Sequence, residues 1–263
     1  MRWAVAFVGL LSVWYGWYNR YQNLNDLSIY DEADWWDPSS PFRVLRRMND
    51  VRVDFFANAY EGGGMIVDLG CGGGFVTEEL ARAFPNSEVR GFDISENSVK
   101  KATNHADGLK NLLYSVGDIY AIPLQNESAS FVVVSDVFEH LQDLDSALGE
   151  IARILKPGGV LVFDTIEKTW WSWLSTYFVG QQILGLVVAG AHDWDLFVSI
   201  PTLVDALTKA GFETDPSRYS GIVPRFSFGD CLQSGSLIDV IAGFEKSEND
   251  LSANYMGLAR KIV

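Results

Sequence analysis

The run Ser135–Leu141, SDVFEHL, places two carboxylates and an imidazole close together, with Asp136, Glu139 and His140 at i, i+3 and i+4. On a helical turn that spacing puts all three on one side. Two carboxylates and an imidazole make a donor set for a divalent cation; the oxygen ligands suit magnesium or manganese, and the histidine leaves zinc open. A cation held there lowers the pKa of a bound hydroxyl and stabilises the resulting oxyanion, which generates a nucleophile near neutral pH. An imidazole at this place also works without metal, as a base or by orienting a neighbour, and the residues leave both readings standing. Of the two other histidines, His192 in AHDW is a second candidate for proton handling, set against a structural role, and His105 in ATNHADG reads as a surface residue.

These side chains need a frame. From Met65 onward the apolar runs MIVDLG, EVRGFD, LLYSVGD, SFVVVSD and GVLVFDT recur, with helical stretches between them. Runs of that length alternating with helices predict parallel strands buried on both faces. FVTEELARAF and DLDSALGEIARIL have apolar residues at helical spacing, and KPGG ends the second helix. The class is α/β and doubly wound, with further strands expected near GFETDP and NYMGLARKI. Ligands of such a sheet sit beyond the carboxyl ends of its strands.

Three successive strand ends carry polar chemistry. The first runs into VDLGCGGG, where Gly70, Gly72 and Gly74 allow a tight turn and a close backbone approach ahead of a helix beginning at Phe75. A dinucleotide fingerprint wants glycine where Phe75 stands, so the G-x-G-x-G spacing argues against NAD. The second ends at Asp93, placed for a carboxylate that takes both ribose hydroxyls. The third ends in GDI, where Asp118 can accept from an exocyclic amine and Ile119 can pack on a purine face. Together they describe an adenosine pocket. The loop has no lysine to grip a phosphate, which favours S-adenosylmethionine over ATP, and Asp68 then faces the methionine amino group.

With 263 residues and 48% hydrophobic content the chain can bury a full core. A net charge of −14 repels phosphate backbones, so no nucleic-acid partner is expected. Cys71 and Cys231, far apart in sequence, fit a reducing compartment rather than a disulfide framework. Two apolar segments stand out. Residues 1–20 contain WAVAFVGLLSVWYGWY, uncharged between Arg2 and Arg20, and read as a membrane anchor or an interfacial helix. Trp170–Trp194 has no charge before Asp193. It is expected to form an interfacial lid that follows the fifth strand, with Trp170, Trp171, Trp173 and Phe178 dipping into lipid and the opposite side lining a tunnel.

The glycine turn, Asp93, Asp118 and LKPGG are features by which the chain resembles class I S-adenosylmethionine-dependent methyltransferases. WWDPSSPFRVLRRMNDVR, SDVFEHL, KTWWSWL with AHDWDLF, and the final NYM together resemble the ubiquinone-biosynthesis O-methyltransferases, over about Trp35 to Met256. The resemblance implies a mostly parallel seven-stranded sheet with an antiparallel last strand and an apolar lid at about 167–200. The lid belongs to a methyltransferase domain over 63–263, behind a helical cap over 21–62. It implies methyl transfer to a ring hydroxyl of a lipid-tailed phenol or catechol, at a membrane surface and with other quinone-biosynthesis enzymes as partners. Arg52, Gly70, Asp93 and Ser135 fall on the family's cofactor positions, with Arg52 suited to the cofactor carboxylate. Asp136, Glu139 and His140 fall on its metal positions, with magnesium the expected ion. The pattern departs from the family at Asp50, in place of a usual proline, at Asp136, in place of glutamate, and in the added amino-terminal segment. A methyltransferase for another lipid or pigment phenol, and a non-catalytic S-adenosylmethionine-binding partner in a membrane complex, are the competing readings.

Overall fold

Five apolar runs form the parallel half of the sheet: β1 Met65–Leu69, β2 Val89–Asp93, β3 Leu112–Val116, β4 Ala129–Ser135 and β5 Leu155–Ile166. They lie in the order β3-β2-β1-β4-β5. The computed structural model describes residues 25–106, 108–183 and 187–262. Alternate side chains of each central strand go to opposite faces, and both faces are covered, so both sets are apolar. Ile66, Phe131, Val133, Val160 and Val162 pack against Phe56, Leu80 and Ala81. Val67, Val132, Val134, Leu161 and Phe163 pack on the other side against Leu148, Ile151, Leu203 and Leu207. The helices that supply these partners are α2 Arg43–Ala59, α3 Phe75–Ala83, α5 Leu144–Ile154 and α6 Ile200–Lys209, with α1 Ser28–Asp31 and α4 Glu96–His105 completing the numbering.

Among the described residues the sheet has nine strands where seven were expected. Beyond β5 the sheet continues antiparallel through β9 Asn254–Lys261, β7 Ser220–Phe226 and β8 Ile241–Ser247, and β6 Phe212–Thr214 also pairs with β9. The β7–β8 pair escapes the sequence pattern because SGIVPRF carries a proline, two polar residues and a glycine. Pro224 is tolerated because β7 pairs with β9 only through Ser220–Ile222, which leaves one side of the strand free of ladder bonds at the proline. Helix α2 lies over this hairpin, where Met48, Ile222 and Met256 are buried together with Phe244 beside them.

The cap is docked on the sheet by specific contacts. The Trp36 indole donates to the Gly73 carbonyl at 2.9 Å and the Trp35 indole to Ser98 Oγ at 3.0 Å. Arg43 and Arg47 reach across from α2 to Asp239 at 3.2 and 2.7 Å.

After β5 the chain makes a capped turn at Trp170–Ser172 and then a π-helix over Trp173–Ile183. Trp170 and Trp171 are exposed, at 70% and 50%. Trp173 is half-buried; it stacks on Phe178 at 5.4 Å and packs beside Ile166, Tyr177 and Phe197. The two outer tryptophans are therefore exposed, whereas Trp173, expected to point outward with them, turns toward the protein. Among the described residues no helix is long and apolar enough to cross a membrane, and residues 1–20 lie outside the described residues.

Candidate active site

The strand ends assemble the first half of the site. Gly70, Gly72 and Gly74 all have positive φ, at 74°, 50° and 88°, and a Cβ on Gly72 would fall 2.8 Å from the Trp35 ring. Only glycine permits this path and this packing together. The Gly72 N–H donates to Asp93 Oδ2 at 2.8 Å, and the Ser95 N–H donates to Asp93 Oδ1 at 2.8 Å. Each oxygen keeps an open lone pair, which suits a carboxylate that must still accept from two hydroxyls. Burial raises the Asp93 pKa, and these two bonds oppose the rise. Asp68 is buried at the tip of β1, accepts from the Thr77 hydroxyl at 2.6 Å, and is pushed by burial to about 7. Asp118 stands exposed, with Oδ1 accepting from the Tyr120 N–H at 2.9 Å. Asp68, Gly70, Gly72, Asp93 and Asp118 border one cavity of about 780 Å³.

Arg52 rises from α2 into the same cavity and is 97% buried by its 3% exposure. Its Nη1 donates to Ser135 Oγ at 2.6 Å and to Asp136 Oδ2 at 2.7 Å, and lies 3.8 Å from Asp164 Oδ2. Burial works against the guanidinium charge, but Asp136 and Asp164 outweigh it and hold the pKa above its ordinary value. The Ser135 hydroxyl in turn donates to Asp164 Oδ1 at 2.5 Å. Asp164, at the end of GVLVFDT, is fully buried and pushed by that burial to about 8.

The expected grouping of Asp136, Glu139 and His140 changes at this point. Asp136 has φ 52°, a left-handed conformation that cannot start a helical turn, and only Phe138–His140 forms a short 3-10 turn. Its carboxylate is drawn to Arg52. Glu139 and His140 instead meet His192 from the segment after β5, with ligand atoms of the three within 4.8 Å of one another. The His140 and His192 rings stack at 5.2 Å. Burial holds both histidines neutral-leaning: His140 well below its ordinary pKa and His192 down to about 4. Glu139 is fully buried, and that burial, with Asp136 nearby, keeps its pKa well above the usual carboxylate range. The Thr165 hydroxyl donates to Glu139 Oε2 at 2.7 Å, yet Glu139 Oε1 and His192 Nδ1 are buried without a hydrogen-bond partner. Two neutral imidazoles and a carboxylate with unpaired acceptor atoms fit the donor set of a divalent cation.

Four further participants complete the site, and three of them carry no usable local signal. Asn25 and Tyr30, from the cap, both contact His140; Thr165 holds Glu139; Asp164 holds Ser135. An acidic residue closing an apolar strand was visible at Asp164, but nothing in the sequence near Asn25 or Tyr30 indicates a partner 110 or more residues away.

A family profile described as "Methyltransferase domain" matches residues 67–163, which contain the glycine turn, Asp93, Asp118 and the SDVFEHL run. A ubiquinone biosynthesis O-methyltransferase from Idiomarina loihiensis is 31% identical over 232 residues, covering 86% of this chain and 88% of its own length. The chain belongs to the ubiquinone biosynthesis O-methyltransferase family. The mitochondrial human member is 36% identical over 194 residues, covering 67% of this chain and 52% of its own. The fold is shared with S-adenosylmethionine-dependent methyltransferases from Thermotoga maritima and Aquifex aeolicus. The first has a TM-score of 0.58 at 21% identity, covering 84% of this chain and 92% of its own; the second has 0.51 at 17%, covering 90% and 95%. The present member of the O-methyltransferase family is thus an S-adenosylmethionine-dependent methyltransferase, and its glycine cradle and the open lone pairs of Asp93 fit that cofactor.

Proposed function

We propose that this chain transfers a methyl group from S-adenosylmethionine to a ring hydroxyl of a lipid-tailed phenol or catechol in ubiquinone biosynthesis, at a membrane surface. The observation that carries the reading is the cavity that joins the strand-end pocket to His140 and His192, with Glu139 buried behind them, and continues between apolar walls. Those walls include Leu45, Met48, Val188, Ile222 and Phe244, with Trp171 at the rim. A polar reaction centre with an apolar extension is the shape that a phenol carrying an isoprenoid tail requires.

In this reading Asp93 and Asp118 hold the ribose and adenine, Asp68 faces the methionine ammonium, and Arg52 with Ser135 stands at the carboxylate end. S-adenosylmethionine supplies an electrophilic methyl group on a sulfonium. A divalent cation would supply phenolate stabilisation if held by Glu139, His140 and His192, whose two imidazole nitrogens and one carboxylate suit a zinc-like ion better than the magnesium that the resemblance implied. The chain's own work is mostly positioning: holding acceptor oxygen and methyl carbon in line is worth roughly 7 kcal/mol or more, so the ionising groups need only be adequate. The exposed Trp170 and Trp171 anchor the segment at the lipid interface, and its inner side, with Ser175, Thr176 and Gly180, lines the cavity. A tail that enters from lipid avoids exposure of its methylenes to water, at about 0.8 kcal/mol each. The test is incubation of the purified chain in liposomes with methyl-labelled cofactor and a polyprenylated catechol; mass spectrometry should show one added methyl on the ring oxygen. Label on carbon or on no lipid at all overturns the reading.

A further inference from the structure

Both polar ends of the Asn25 amide are spent on one residue. Its Nδ2 donates to the His140 backbone carbonyl at 3.0 Å, and its Oδ1 lies 2.7 Å from His140 Nδ1. The first bond decides the amide orientation, because only the NH₂ end can donate to a carbonyl. The oxygen end therefore faces the ring, and an amide oxygen can only accept. Of the two tautomers of the neutral imidazole, the one with hydrogen on Nδ1 satisfies that contact, and the other sets two lone pairs against each other. Nε2 is then left with its lone pair, and the Tyr30 hydroxyl, 3.2 Å away, donates to it.

We infer that Asn25 is a positioning residue: it fixes the ring of His140 as the Nδ1–H tautomer and so makes Nε2 the nitrogen with the lone pair, which the Tyr30 hydroxyl occupies until its proton turns to another acceptor in the reaction cavity. A histidine that ligates a metal or accepts a proton needs that second hydrogen bond to set its tautomer and its angle. Tyr30 and Asn25 both line the cavity, so the presented nitrogen faces the space the acceptor must use. The Asp26 N–H donates to the Gly190 carbonyl at 3.0 Å, so the loop that carries Asn25 is itself fastened beside the segment that brings His192. The cap thereby takes part in chemistry that the methyltransferase core would otherwise hold alone. The inference rests on the proposed role of His140 but not on the identity of the acceptor.

The experiment is a nitrogen-15 spectrum of the full chain with its histidine rings labelled. There are three histidines, and a His140→Gln variant identifies the relevant signals. In the parent protein His140 should show a protonated Nδ1 and an unprotonated Nε2. Asn25→Leu should lose that single form and gain the Nε2–H tautomer, with kcat lowered roughly 10- to 100-fold and the dissociation constant for S-adenosylhomocysteine unchanged. Asn25→Asp, which keeps an acceptor at Nδ1, should restore the tautomer and most of the kcat. Tyr30→Phe, which removes only the partner of Nε2, should leave the tautomer as in the parent. An Nε2–H ring in the parent overturns the inference even if no variant folds, and so does an Asn25→Leu ring that stays wholly Nδ1–H. A correct tautomer in a protein that methylates no lipid phenol would instead sink the functional reading and leave Asn25 its role.

Discussion

The proposed cofactor side and the proposed acceptor side of the site are built by different means. On the cofactor side, Gly70, Gly72, Asp93 and Asp118 stand at the ends of adjacent strands, and their partners are mostly backbone N–H groups of neighbouring loops. On the acceptor side, Asn25, Tyr30, Glu139, His140, Thr165 and His192 come from four separate stretches of chain and are joined by side chains. Backbone donors are committed by the fold itself, so the first half is fixed once the strands and their loops form. Side-chain constellations are reset by single substitutions, and a surface that must fit one acceptor is built from them. Two of the buried atoms without a hydrogen-bond partner, Glu139 Oε1 and His192 Nδ1, belong to this second group. Arg52 is the seam, since it touches Ser135 and Asp136 from a helix outside the strand-end pocket.

The contrast is broken most sharply by removing acceptor-side groups. Glu139→Gln and His192→Ala should each lower turnover by about 10²- to 10⁴-fold while leaving calorimetric binding of S-adenosylhomocysteine intact. A parallel loss of cofactor affinity would mean that the two halves are not separable. Replacing the seam should damage both: Arg52→Met leaves Asp136 and Asp164 without their cation, at a cost of about 3–5 kcal/mol in denaturant unfolding. Adding Asp136→Asn should recover part of that loss, because the carboxylate that pairs with Arg52 at 2.7 Å is then replaced by a neutral amide.

A smaller effect sharpens the cofactor side through pH. The Asp68 carboxyl titrates near 7 in the folded chain against an ordinary 3.8, so the folded state binds the extra proton. The associated stability is full below about pH 4 and is lost as pH rises through about 7. Asp68→Asn, which resembles the protonated form, should match the parent's melting temperature near pH 4 and exceed it at pH 8. The same variant should bind S-adenosylmethionine more weakly above pH 7, where the parent offers a carboxylate to the ammonium group. The smallest effect lies where the cap meets the β7–β8 side. The Ser234 hydroxyl and then the Arg47 and Arg43 guanidinium groups hold the Asp239 carboxyl down at about 2. Its contribution is present above pH 4 and lost as pH falls toward 2. Asp239→Asn should cost no more than about 1 kcal/mol at pH 7, and chemical denaturation below pH 3 should no longer distinguish it from the parent.

Legibility followed the same division. Strand ends, the glycine turn, Asp68, Asp93 and Asp118 were readable because an apolar run closed by a glycine or an acid is a local pattern. The SDVFEHL run was readable as chemistry, but not as geometry: the periodicity suggested one helical face, and the left-handed Asp136 breaks it. The β7–β8 pair was lost because its residues alternate poorly and include Pro224, which only the free side of β7 permits. Trp170 and Trp171 are exposed, while Trp173 and Phe178, expected to point outward with them, are half-buried and stack on each other.

By itself, then, the order of residues determined the alternation of strands and helices, the cradle for an adenosyl group and the kinds of donor beside it. Local hydrophobic period and backbone conformation depend on near neighbours, and these are written in consecutive positions. Only the tertiary structure decided that Asp136 answers to Arg52, that His192 completes the pair Glu139 and His140, and that Asn25 reads the ring of His140 from 115 residues away. Those choices turn on which buried charges and lone pairs find a partner within about 3 Å, and no spacing along the chain records that distance.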